Sequence, residues 1–143
     1  MAPDVLLALV SAGAVLWVED RRLRFRAPAG ALDEELRAAA GRVRASLVAL
    51  VRAGAVLPAE RGAWPAAVVV DFEERAGMLI FDGGMAPSDA EREAERLVHL
   101  AHVRAFVGRA ALIHHESNEP VEHVTGAAVA TSPGRRPART GAP

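Results

Sequence analysis

The sequence has no cysteine. That excludes a disulfide frame, a thiolate zinc site and a thiol nucleophile, and it fits a reducing cytoplasm. It has no lysine either: all 17 basic residues are arginine, set against 18 acidic ones for a formal net charge of −1. No global field therefore draws the chain to nucleic acid or to a membrane surface. Aromatic residues make up only 4%, so Trp17 and Phe25 are expected to be spent on a core. No apolar run reaches the roughly 18 residues needed to span a bilayer. The start, MAPDVLLALV, carries Asp4 where a signal peptide carries basic residues. The expectation is a soluble, cytoplasmic chain without a membrane segment. Its 143 residues allow one ordinary domain or two very small ones.

What the chain does have is concentrated in VLWVEDRRLRFRAP, residues 15–28. Val15 to Val18 are β-branched, aliphatic and aromatic, and Arg22 to Arg26 alternate polar and apolar, a β-hairpin pattern turned at Asp20 and Arg21. Side chains alternate across a strand, so Leu23 and Phe25 take one face and Arg22, Arg24 and Arg26 the other. A lone hairpin is marginal in water, so helices must cover its apolar side.

The flanking segments supply those helices. Pro3 and Asp4 open one whose stripe is Val5, Leu6, Leu9 and Val10, with Gly13 as its stop. After the turn at Pro28 to Gly30, Asp33 is the expected N-cap of a helix carrying Leu36, Ala40, Val43, Leu47 and Leu50, with Gly41 as a point where it could divide. Residues 55–66, AVLPAERGAWPA, have no helical period and read as a linker, with Trp64 to pin it to a neighbour. A helix follows over 67–81. Asp82, Gly83 and Gly84 break it, and Ser88 with Glu91 forms a capping box for a second helix reaching about residue 113. Residues 114–143 are poor in large apolar groups and are expected to be a flexible tail. The fold class is thus α+β: an αββαα unit, then a helical hairpin, then a disordered tail.

The arginine stripe admits three readings: an acidic peptide site, a phosphate-tracking site, or a solvated strand face that resists aggregation. No helix carries the basic face of a groove reader. His99 and His102 stand three apart on a helix, and His114, His115 and His123 follow. Their spacing matches no zinc signature, so no metal is expected. Glu73, Glu74 and Asp82 have no nucleophile or base beside them, so no catalytic residue and no cofactor is expected.

Residues 1–54 resemble the TubC-type N-terminal docking domain of nonribosomal peptide synthetases. The resemblance is carried by LLALVSAGAVLWVED, LRFRAPAGALDEELRA and VRASLVALVRAG in that order. It implies an αββαα homodimer whose hairpin captures a short peptide segment, partly by strand addition and partly through charge. It places the partner-binding residues at Arg22, Arg24, Arg26, Trp17 and Glu19, facing an acidic peptide. Arg21 stands where the family usually has a glycine, so a longer or differently shaped loop is expected. A chain of 143 residues has no room for synthetase modules, so a stand-alone docking module is the expectation. The stretch DFEERAGMLIFDGGMAPSDAEREAERL resembles helix–DGG–helix segments of small bacterial proteins of phage or plasmid origin. The alternative function is therefore a nucleic-acid-associated accessory protein of a mobile element.

Overall fold

The computed structural model describes the backbone of residues 1–131 and the side chains of residues 1–112. The first helix, α1 (Ala2–Ser11), has Pro in its first turn and Asp4 near its positive end. It ends in a paired closure: Gly13 N–H donates to Val10 O and Ala14 N–H to Leu9 O, with Gly13 at φ 99°. This is a Schellman motif, and Ala14 is buried beneath it. A side chain at Gly13 would be strained by that φ and would also crowd the Pro28 ring.

Strands β1 (Val15–Glu19) and β2 (Arg22–Arg26) pair antiparallel, with Val15 opposite Arg26 and Glu19 opposite Arg22. The expected long loop is absent. Asp20 and Arg21 form a two-residue turn, both with positive φ (53° and 67°). Two-residue turns of this hand match the twist of the strands, and five paired positions on each side hold the register. Asp tolerates that conformation through its short polar side chain, whereas Arg does not share this advantage. Replacing Arg21 by Gly is expected to raise stability by about 0.5–1 kcal/mol, the relief of left-handed strain less the added chain entropy of glycine. A urea midpoint that rises at constant m-value would show it.

Asp33 caps α2 (Glu34–Arg42) as expected, accepting the Leu36 amide at 2.7 Å. The helix divides at Val43 rather than at Gly41, and α3 (Arg44–Arg52) follows. Gly41 keeps helical geometry and lies exposed. Val43 leaves it (φ −114°, ψ 24°), which lets Leu47 turn fully into the core. The Gly54 and Ala55 amides then close α3 as Gly13 and Ala14 close α1.

The stretch expected as a linker holds a 3-10 turn (Arg61–Ala63) and two buried anchors, Leu57 and Trp64. The Trp64 indole N–H donates to Pro58 O at 2.8 Å. Its ring meets Phe72 edge-on at 5.8 Å. Helix α4 (Ala66–Phe81) supplies Phe72 and Ala76 to this second cluster, and α5 (Pro87–Thr131) supplies Ala94 and Val98. Between them Gly83 lies so close to Leu79 O that a Cβ there would stand 2.8 Å from it. Only glycine fits.

Two expectations about α5 change. The helix starts at Pro87, so Ser88 is already inside it and the Ser88–Glu91 capping box does not form. Proline suits that first position because its fixed φ is helical and no N–H is needed there. The Ala90 amide goes to Ala86 O, and Glu91 faces Arg61 at 3.9 Å. The helix also continues to Thr131, past the expected stop near residue 113, with Pro120 and Gly126 inside it. The rest of the expected tail, 132–143, lies outside the described residues.

Residues 1–107 form one unit and 108–143 a second. In the first, the core joins both halves of the sequence: Leu6, Leu9 and Val10 of α1, Leu16 of β1 and Leu47 of α3 pack with Leu100 and Val103 of α5. Among the described residues no helix is long and apolar enough to cross a membrane.

Candidate functional site

Residues opposite one another in an antiparallel pair share a face. Val15, Trp17 and Glu19 therefore stand with Arg26, Arg24 and Arg22. The other face carries Leu16, Val18, Leu23 and Phe25. Leu16 is buried and Leu23 packs on the core, but Phe25 is 44% exposed. Trp17 is half-buried, and it belongs to neither core cluster. The core role expected for both aromatics is thus not what they perform. Strand alternation assigns a face but not its cover: α3 is the helix packed against both strands, and Phe25 stays exposed beside a hollow.

The five residues singled out from the sequence share one face of the hairpin but have different neighbours. Arg24 Nε lies 3.8 Å from Glu19 Oε1, an ion pair in the open, with both side chains more than half exposed. Such a pair contributes about 0–1 kcal/mol and leaves Arg24 free to change partners. Arg22 is exposed at the turn. Arg26 stays beside Trp17, its guanidinium 6.0 Å from the ring centroid, and also reaches Ala59 O at 3.5 Å.

Beside β2 runs an open groove of about 800 Å³. Arg21, Arg22 and Arg24 line one wall; Arg44 of α3 stands on the other, above a floor of Leu23, Ala45 and Val48. Arg21 and Arg44 were not singled out from the sequence. Arg21 reads as a turn residue. Arg44 becomes the first residue of a helix only because the chain breaks at Val43, a break no residue type there announces. Across the strand, Leu23, Phe25, Leu32 and Ala40 outline a smaller hollow of about 220 Å³, and Arg44 borders that as well.

The edge between these hollows carries backbone groups. In a two-residue hairpin the pair flanking the loop is hydrogen-bonded and bonded pairs alternate from there. Glu19–Arg22 and Trp17–Arg24 are then bonded pairs. Leu23 and Phe25 direct their N–H and C=O groups outward. A strand laid on this edge would find backbone partners, arginines on one side and an apolar hollow on the other.

The histidines hold the fold. Arg96 donates to Ser11 O at 3.0 Å at the end of α1, and His102 Nε2 contacts Gly54 O at 3.0 Å at the end of α3. Helix ends leave carbonyls without partners, and α5 supplies them. His99 is buried against Trp64, ring centroids 5.5 Å apart. Burial holds its imidazole below the ordinary value of 6.5; Arg26 and His102 add to that, and Glu95 opposes it. The folded state therefore binds fewer protons here than the unfolded chain. Stability is whole above about pH 6.5 and falls as pH drops below it. We expect the urea midpoint to decline from pH 7.5 to 5, and His99→Gln to remove that slope. Glu93, held below its usual range by Arg96, titrates in a separate window below 4.5.

Residues 4–52, from α1 to the end of α3, match the model of the TubC N-terminal docking domain. Comparison with curated proteins and with solved structures returned no match. The match is to a docking domain, which agrees with the resemblance in residues 1–54, and it spans about a third of the chain.

Proposed function

We propose that the protein docks an acidic peptide segment by strand addition at the outer edge of β2. The observation that carries this reading is the groove lined by Arg21, Arg22, Arg24 and Arg44 alongside free backbone groups. The peptide that fits has period two: acidic residues toward the arginines, apolar ones toward Phe25 and the hollow beside it. Backbone bonds supply affinity, and charge supplies steering and register. The chain carries no catalytic step and no cofactor in this reading.

Homodimerisation belongs to the same reading, through the resemblance. Leu100 and Val103 already cover the core of α1 and α3. A second copy would join elsewhere, and Val70, Met78 and Phe81, exposed along α4, offer one apolar surface to it. Light scattering of the intact protein reads this directly.

The test is titration of the intact protein with an alternating acidic–apolar peptide, followed by amide hydrogen exchange. Slowed exchange at Leu23 and Phe25 is expected. Unchanged exchange there, with binding elsewhere, would overturn strand addition. The nucleic-acid alternative is read by recovery from host extract: nuclease-sensitive DNA or RNA without a specific protein would favour it.

A further inference from the structure

A separate cleft of about 380 Å³ lies between the end of α1, the base of the hairpin and α5. Its volume falls in the range of small-molecule sites. One wall is apolar: Val10, Ala14, Val15 and Pro28. The polar groups sit together at the other side. Arg96 is fully engaged, by Glu93 at 2.6 Å and Ser11 O at 3.0 Å, and Arg92 is paired with Asp89 at 3.3 Å. Arg26 is the one lining arginine without a carboxylate partner among the described residues; its guanidinium's one hydrogen bond there is the 3.5 Å contact to Ala59 O.

His99 also lines the cleft. Its side chain is 4% exposed, and Nε2 is shielded from water and has no hydrogen-bond partner. Glu95 Oε2 stands 4.0 Å away, beyond hydrogen-bond reach. Glu95 is itself held by Arg61 at 3.2 Å, so it does not close the gap. A buried polar atom left without a partner costs about 1–3 kcal/mol. Nε2 is thus the unsatisfied polar atom among the residues lining the cleft, and a ligand reaching it would supply the missing partner.

We propose that this cleft binds a carboxylate attached to a short aliphatic group. The carboxylate accepts from Arg26 and from His99 Nε2–H, and the aliphatic part lies against Val10, Val15 and Pro28. Glu93 and Glu95 also line the cleft, but each is paired with an arginine, Arg96 and Arg61; the Arg26 charge is the one left to match, and a neutral acceptor would not match it. The carboxylate could belong to a free acid or to the C-terminal residue of a chain; the chemistry is shared and the test separates the sources.

The intact protein would be titrated with 4-methylpentanoate and with 4-methylpentanamide, and with a leucine-ended tetrapeptide bearing a free or an amidated C-terminus. Imidazole ¹⁵N–¹H spectra report His99 directly. The expected result is a shift of the His99 Nε2–H resonance with the acid, with the free-ended peptide, or with both. The neutral amides and the Arg26→Gln variant should bind about tenfold more weakly, the loss of one charge-assisted contact. Response to the acid alone identifies a small-molecule site, and response to the peptide alone identifies capture of a chain end. No shift with either up to about 10 mM, which corresponds to a binding free energy of only about −2.7 kcal/mol, would overturn the proposal. So would amides that bind as well as acids.

Discussion

Replacing Arg22, Arg24 and Arg44 together by Ala is expected to weaken an acidic docking peptide by roughly 100-fold and to remove most of the salt dependence of its binding. An exposed charge pair contributes about 0.2–1 kcal/mol. A strand seated on β2 would partly desolvate these three, moving each toward the upper end, and about 2.7 kcal/mol in total is a factor of 100. The formal charge of the whole chain is −1, so steering must come from this local cluster, and it should fade with ionic strength as the Debye length shortens. Arg26→Ala is the internal control. It shares the strand with Arg22 and Arg24, yet its guanidinium lies over Trp17 and reaches Ala59 O. Its removal should change affinity by no more than about twofold, the low end for a single exposed charge. Isothermal titration at two salt concentrations checks both. Equal losses for Arg26→Ala and for each groove arginine would mean that a diffuse positive field acts and the groove does not.

The hairpin was legible because its signals are local. β-branched and aromatic residues on one arm, alternation on the other and an Asp in the turn all lie within residues 15–26. The Asp33 cap and the Gly13 stop were legible for the same reason: each acts on atoms a few positions away. What was not legible depends on distant packing. Phe25 has the alternation of a core residue, but its cover depends on where α3, the helix packed against both strands, is set by the break at Val43. Arg26 has the pattern of a docking arginine, but it also reaches the stretch at Ala59. Arg44 joins the groove only through the angle at Val43. His99 and His102 have the spacing of ligands on one helix face. Their partners, Trp64 and Gly54 O, come from segments 35 or more residues away that no periodicity links to them. The same holds for the boundary after residue 54: its composition shift reads as a linker, whereas Leu57 and Trp64 are anchors.

That last point leads to the largest effect on stability. Leu100→Ala with Val103→Ala, both far from the resembling segment in sequence, should destabilise the hairpin itself. Leu100 is 6% exposed and Val103 fully buried, in one cluster with Leu6, Val10, Leu16 and Leu47. Truncating a buried Leu costs about 2–5 kcal/mol and a buried Val about 2, including the cavity left behind. The residues lie one helical turn apart, so the two costs need not add. A combined loss of about 4–5 kcal/mol approaches the whole stability of an ordinary domain. A unit of about 54 residues buries too little surface to absorb it. The two tryptophans report the outcome separately. Trp17 lies on β1, and Trp64 lies in the second cluster. In single-tryptophan variants, urea unfolding followed at Trp17 and at Trp64 should shift together. If only the Trp64 transition moved, residues 1–54 would be an independent docking unit with a helical hairpin attached. If both move, α5 completes the fold that positions Arg22, Arg24 and Arg44. The groove then exists only while the helix from the other half of the chain stays seated.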